Sequence, residues 1–244
     1  MEFIAGKNPV LEALQAGRPL SKILFAQGLK QSSVKEIMSL ARTRQIPYQF
    51  VARERLDSLV PGNIHQGIVA QAGAKEYVDW EEIVEKALQK GTDPFLVLLD
   101  GLEDPRNLGA ILRTAEAVGV DGVIIPKHRS VSLTAAVARS SAGAVEYVPV
   151  ARVPNLPLIM DRLKEKGYWI VGTDSQAEQK YFEADLKGPL AVVLGSEGKG
   201  LGKLVKEKCD FLVSIPMLGQ VNSLNVSVAG ALLFYEIIRQ RGLV

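Results

Sequence analysis

The sequence predicts an α/β protein in two parts: a small N-terminal α/β domain and a C-terminal domain built on a mostly parallel sheet. Three observations predict it. Apolar runs of strand length alternate with helical stretches along most of the 244 residues. In the second part these runs are continuously apolar rather than alternating, the pattern of strands covered on both faces. Between the parts lies a polar stretch closed by the breaker Gly91-Thr92-Asp93-Pro94. The expected boundaries are 1–74 for the first domain, 75–93 for a connector and 94–244 for the second domain.

In the first part, Pro9 to Leu14 opens as a helix, with Asn8 as a candidate cap. Ile23 to Ala26 reads as a buried strand. Residues 33–41 form an amphipathic helix with Val34, Ile37, Met38 and Ala41 on one face, and Ser32 or Ser33 could cap it. Tyr48 to Val51 and Gly67 to Ala70 read as further strands. The connector holds a helical piece from Trp80 to Leu88. In the second part, strands are expected at Phe95–Leu99, Gly122–Pro126, Val145–Val150, Trp169–Gly172, Leu190–Leu194 and Phe211–Ile215. A helix carrying Leu224, Val228 and Leu232 leads towards Tyr235.

Charge and composition narrow the function. The net charge of +2 hides an asymmetry: residues 1–75 hold 10 Lys and Arg against 5 Asp and Glu, and the remainder holds 19 against 22. A basic first third suits a polyanionic partner, although a solvated basic surface looks the same in sequence. Arg42, Arg44, Arg53 and Arg55 are the candidate contacts. The single Cys209 excludes an internal disulfide framework and a multi-cysteine zinc site. With only His65 and His128 and no cluster of carboxylates, no metal is expected. No signal peptide and no apolar run of about 18 residues is visible, so a cytoplasmic enzyme is expected.

Ligands of parallel sheets sit beyond the carboxyl ends of the strands, and three unusual segments stand there. The first is Asp104-Pro105-Arg106-Asn107-Leu108-Gly109. Its helix buries Leu108, Ile111, Leu112 and Ala115 and leaves Arg113 off that stripe. Alone, Asn107 could be a cap and Arg113 a solvated side chain. The second, Gly195-Ser196-Glu197-Gly198-Lys199-Gly200, lets the backbone approach a ligand closely. It fits neither the phosphate-loop nor the dinucleotide fingerprint. The third, Ile215 to Ser227, crowds Ser223, Asn225 and Ser227 at a helix start, more polar groups than capping requires.

Together these segments resemble the SpoU family of RNA ribose 2′-O-methyltransferases, in the SPOUT superfamily. The resemblance rests on Asp104 to Gly109 with Arg113, then Leu194-Gly195-Ser196-Glu197-Gly198, then Ile215-Pro216-Met217 followed by Ser223-Leu224-Asn225-Val226-Ser227. Gly6-Lys7-Asn8-Pro9-Val10 and His65-Gln66-Gly67-Ile68-Val69 resemble the family's RNA substrate-binding domain, in the branch acting on a guanosine of large-subunit (23S) ribosomal RNA. The resemblance implies a trefoil knot in the C-terminal domain, a homodimer, and S-adenosylmethionine as methyl donor. It further implies Asn107, Arg113, Glu197, Ser223 and Asn225 as the catalytic group, and Gly195, Ile215 and Leu224 as cofactor-binding residues. Because a guanidinium is normally always protonated, Arg113 is better suited to hold a phosphate and stabilise developing alkoxide charge than to act as a base. Two alternatives stay open: the same chemistry on transfer RNA, and a non-catalytic RNA-binding protein of ribosome assembly.

Overall fold

The computed structural model describes residues 2–62, 64–73 and 75–243. It separates into two compact units, Met1–Glu76 with Leu133–Tyr147, and Tyr77–Ser132 with Val148–Val244.

The first unit is a four-stranded sheet of β1 (Glu2–Ala5), β2 (Leu20–Ala26), β3 (Tyr48–Val51) and β4 (Ile68–Ala72), in the order β1-β4-β2-β3. β4 runs antiparallel to both neighbours, and β2 and β3 are parallel. Helices α1 (Lys7–Gln15) and α2 (Gln31–Thr43) bury Val10, Leu14, Val34 and Ile37 against Ile23, Phe25 and Ile68. Helix α3 (Arg53–Leu59) places Leu56 among Leu24, Val51 and Val69 on the opposite face. The N-cap of α1 is Gly6, at φ +109°, rather than Asn8, because the chain must turn sharply out of β1. α2 begins at Gln31 with Lys30 at its N-cap and no side-chain cap, earlier than the expected serines; the side chain of Ser33 lies outside the described residues.

This unit is not a contiguous piece of chain. Leu133–Tyr147 joins it, although the sequence reading assigned that segment to the second domain. Four contacts explain the association. The Glu146 carboxylate is almost fully buried, 2.5 Å from the Arg18 guanidinium and 3.2 Å from Lys75. The Tyr147 hydroxyl donates to Glu12 at 2.7 Å. Gly143, at φ +95°, lies so close that a Cβ there would sit 2.3 Å from Glu12 Cγ. The segment forms a short helix and a 3₁₀ turn at Ala144–Glu146, not the expected strand from Val145, because the left-handed Gly143 breaks the extended path.

The second unit holds six strands, β5 (Phe95–Asp100), β6 (Gly122–Pro126), β7 (Val150–Val153), β8 (Trp169–Thr173), β9 (Leu190–Gly195) and β10 (Phe211–Val213). They are all parallel, in the order β10-β8-β9-β5-β6-β7. α4 (Trp80–Gln89) lies within the expected connector. Trp80, Ile83 and Val84 nevertheless pack on Leu96, Leu98 and Ile124, so an amphipathic helix of this length is retained as a covering layer. α7 (Leu156–Glu165) and Val205 of α8 (Lys203–Lys208) complete that layer. α5 (Pro105–Ala117) and α9 (Val226–Gln240) pack against each other. Leu108, Ile111, Leu112 and Ala115 of α5 are buried.

Two details differ from the sequence reading. β10 ends at Val213, with one further parallel bridge from Ser214 to Lys180. α9 buries Val226, Gly230, Leu233, Phe234 and Ile237. The helix expected to carry Leu224 starts after it, at Val226, and Val228, Leu232 and Tyr235 are 48%, 39% and 50% exposed. The helix is apolar nearly all round, so periodicity alone could not say which face is inside. Among the described residues no helix is long and apolar enough to cross a membrane.

Candidate active site

The sheet order fixes where a site can form. From β5 the chain moves to β6, and from β9 it moves the other way, to β10 by way of α8. The loops that leave the carboxyl ends of β5 and β9 therefore diverge, and a crevice opens where they part. Asp100 and Gly195 are register partners at that point.

Each loop delivers one part of a polar cluster. After β5, the Asp104 carboxylate caps α5 by accepting from the Arg106 amide at 2.8 Å and also pairs with the Arg106 side chain. That side-chain hydrogen bond holds the Asp104 carboxyl below its ordinary value. The cap sets Asn107, 7% exposed, on the inner face of the first turn. After β9 the chain makes a tight turn in which Ser196 and Gly200 exchange two backbone hydrogen bonds of 3.2 and 2.9 Å. The turn passes close to Gly195, where a Cβ would lie 2.3 Å from the Gly200 carbonyl carbon. Glu197 stands on this turn. After β10, Asn225 is the N-cap of α9, and its side-chain oxygen accepts from the Ser227 amide at 2.9 Å and from the Ser227 hydroxyl. Its amide nitrogen donates to Asn107 Oδ1 at 2.9 Å and to the Glu197 carboxylate. Asn225 is thus the hub that joins all three sequence segments.

Two cavities flank this cluster and share Ser196, Glu197 and Gly200 as a wall. One, of about 720 Å³, lies towards β8 and β10 and is lined by Gly195, Ile215, Ser223, Leu224 and Asn225 with Val213 and Ala229. The other, of about 620 Å³, lies towards β6 and β7 and is lined by Asp100, Glu103, Asn107, His128 and Arg129. At the rim of the first, Lys206 is 2.5 Å from Asp174 and depresses its carboxyl. Within the second, the Asp100 carboxylate accepts from the Gly202 amide at 2.7 Å and pins the end of the turn.

Seven of the eight residues selected from the sequence line one cavity or the other, and three of them are bonded in one cluster. Arg113 is the exception. It is exposed and makes no hydrogen bond or ion pair among the described residues. It follows Asn107 by six residues, which turns it about 120° around the helix and about 9 Å along it. One chain therefore does not bring Arg113 to the cluster. Sequence reasoning passed over Asp174, Lys206, His128 and Arg129. The signal for Asp174 was its place directly after β8.

Comparisons with known proteins give the family. Residues 94–235 match the SpoU rRNA Methylase family, and residues 3–78 match the RNA 2′-O ribose methyltransferase substrate-binding family. YacO of Bacillus subtilis (strain 168), described as a TrmH family tRNA/rRNA methyltransferase, is 48% identical over 240 residues, covering 98% of this chain and 96% of its own. A relative from Staphylococcus saprophyticus given the same description is 49% identical over 240 residues, 98% of this chain and 95% of its own. Among solved structures, the SpoU methyltransferase AviRb from Streptomyces viridochromogenes, in complex with the cofactor AdoMet, superposes with a TM-score of 0.82 at 28% identity, over 99% of this chain and 91% of that one. With family matches to both parts of the sequence and relatives near half identity along its length, the chain belongs to the SpoU rRNA Methylase family.

Proposed function

We propose that the protein transfers a methyl group from S-adenosylmethionine to a ribose 2′-hydroxyl of RNA, with a guanosine of large-subunit ribosomal RNA as the acceptor, in the cytoplasm. The observation that carries this is the Asn107–Asn225–Glu197 cluster standing in the wall between two cavities, each large enough for one reactant.

The larger cavity fits the methyl donor. Its wall is cradled by the close approach of Gly195 and Gly200, which leaves backbone groups open to a ligand. Ile215, Leu224, Val213 and Ala229 supply an apolar slot for a flat base. When bound, S-adenosylmethionine supplies an activated methyl, so the chain's own work is to orient and to handle charge. Asn107, held by Asn225, is positioned to orient the ribose. Glu197 holds the Asn225 amide from the other side and fixes the turn. Ser223 lines the donor cavity as a further hydrogen-bonding group. Alignment of this kind contributes several kcal/mol, up to about 7–11 in ideal cases.

Arg113 completes the proposal only in a homodimer. The exposed Val228, Leu232 and Tyr235 lie within one stripe of α9, and α9 packs on the helix that carries Arg113. A second copy seated there would cover the stripe and place Arg113 at a shared boundary, where it binds an RNA phosphate. The trefoil knot belongs to the same proposal, since the loops after β9 and β10 fold back over one end of the sheet to line one cavity. The basic first third, with Arg42, Arg44, Arg53 and Arg55, serves phosphate contacts and makes affinity fall with salt.

The test is methyl-labelled S-adenosylmethionine with unmodified large-subunit ribosomal RNA and, separately, bulk transfer RNA. Label on ribosomal RNA supports the substrate. Label on transfer RNA alone keeps the chemistry and overturns the substrate. Failure to bind S-adenosylmethionine overturns the enzyme and leaves a non-catalytic RNA-binding protein.

A further inference from the structure

The smaller cavity, across the cluster from the donor cavity, has a different lining. Three prolines, Pro126, Pro154 and Pro157, give it flat apolar walls. Around them stand four polar side chains, Glu103, His128, Arg129 and Lys199, all exposed and none with a hydrogen bond or ion pair among the described residues. Other polar groups in the cavity are engaged: Asp100 holds Gly202, Asp104 caps α5, and Asn155 caps α7. A flat apolar slot edged by one unengaged carboxylate and three donor-bearing side chains is the chemistry of a nucleobase site with a phosphate beside it.

We infer that this cavity receives the base of the acceptor nucleotide, turned out of its stack, and that Glu103 makes it select guanine. The inference rests on the reading of the chain as an RNA ribose methyltransferase. Position is the first argument. The cavity shares the Ser196–Gly200 turn with the donor cavity, and Asn107 and Glu197 line it. A nucleoside whose base enters here has its ribose at the shared wall, beside the cluster. Reading a base by its Watson–Crick edge requires it unpaired and unstacked, as in enzymes that flip a base into a pocket, where stacking and hydrogen bonds to that edge offset the unstacking.

Chemistry supplies the selectivity. A carboxylate only accepts hydrogen bonds. Guanine alone among the four bases presents two adjacent donors, N1–H and the 2-amino group, and these match two carboxylate oxygens. Adenine and cytosine place a ring-nitrogen lone pair beside their amino group, and uracil flanks its single N–H with two carbonyls. Each of those lone pairs would face the carboxylate charge. Arg129 and His128, on the β6 side, carry N–H groups suited to guanine O6 and to the phosphate of the same nucleotide.

The test uses GMP, IMP and AMP as probes on the full chain in the presence of S-adenosylhomocysteine, with binding followed by ligand-observed NMR. IMP differs from GMP only in lacking the 2-amino group. The expected result is GMP bound about tenfold more tightly than IMP or AMP, the scale of one bidentate base contact, with the preference abolished in Glu103→Gln. Glu103 is exposed, so this variant leaves the fold in place. Equal binding of the three nucleotides, a preference unchanged in Glu103→Gln, or displacement of GMP by S-adenosylhomocysteine would each overturn the assignment. Enzymatic methylation of unmodified ribosomal RNA separates this inference from the reading beneath it. Label recovered as 2′-O-methylguanosine supports both, whereas label recovered on another 2′-O-methylnucleoside overturns guanine selection and keeps the methyltransferase.

Discussion

Gly195 is the residue at which the smallest change should do the most local damage, and the structure sets the scale. Its φ is not in the left-handed region, so backbone strain is not the issue. The constraint is space. A Cβ at Gly195 would lie 2.3 Å from the Gly200 carbonyl carbon, 2.5 Å from its oxygen and 2.5 Å from the Leu201 nitrogen. All three are backbone atoms, so no side chain can rotate away. The turn must retreat by about 1 Å to reach ordinary contact distance, and that opens the two Ser196–Gly200 hydrogen bonds. Overpacking of this kind costs about 1–3 kcal/mol, and two backbone hydrogen bonds at about 0.5–1.5 kcal/mol each give the same range by the other route. Gly195→Ala should therefore lose about 2 kcal/mol of stability in urea unfolding. It should also weaken S-adenosylmethionine binding at least about tenfold in calorimetry, a change of about 1.4 kcal/mol. Gly219→Ala is the control, because a Cβ there meets nothing within 4 Å. A Gly195→Ala protein as stable as the parent and binding the donor equally well would refute the reasoning.

Other outcomes follow from single contacts. Asn225→Asp keeps the oxygen that caps α9 but removes the amide that donates to Asn107 and Glu197, and sets two carboxylates face to face; single-turnover methylation should fall at least about a hundredfold while the melting temperature moves by only a few degrees. Tyr235→Glu places a charge in the exposed α9 stripe; if that stripe seats a second copy as proposed, the parent should sediment as a dimer and the variant as a monomer. Burial pushes the Cys209 thiol up to about 12; at pH 8 its thiolate fraction is about 10⁻⁴, and iodoacetamide should label it at least about a hundredfold more slowly in the folded than in the urea-unfolded protein. Asp174 is depressed by Lys206, so the pair's stabilisation is full above the ordinary aspartate value of 3.8 and is lost as the pH falls through the lower folded value. Lys206→Met should therefore cost about 0.5–1 kcal/mol at pH 7 and nothing at the acid end of a urea-denaturation series.

What the sequence made legible, and what it hid, divides along physical lines. β5, β6 and β9 are buried on both faces, so their runs of Val, Leu and Ile stand out against any background. β1 is four residues at a sheet edge and carries no such run. Leu133–Tyr147 escapes because its tie to the first unit lies in long-range pairs, Glu146 with Arg18 and Tyr147 with Glu12, which no local pattern encodes. Within the site, the excess of Asn and Ser before α9 was readable, but the role of Asn225 as hub was not, because its partners are 118 and 28 residues away. The division of the crevice into two cavities follows from the Gly195–Gly200 approach, a feature of tertiary distance rather than of composition. Arg113 was legible as lying off the buried stripe, and it does; its separation from the cluster in one chain is the feature that motivates a shared site between two copies.

The central claim is that a methyl group reaches a ribose hydroxyl at the Asn107–Asn225–Glu197 cluster. Alkaline hydrolysis of RNA labelled by the protein tests it most directly, because a methylated 2′-oxygen cannot attack the adjacent phosphate. The account predicts label in alkali-resistant dinucleotides, reduced at least about tenfold in Asn107→Ala under single-turnover conditions. Label released in mononucleotides, which marks methylation of a base, or an unchanged rate in Asn107→Ala, would contradict it.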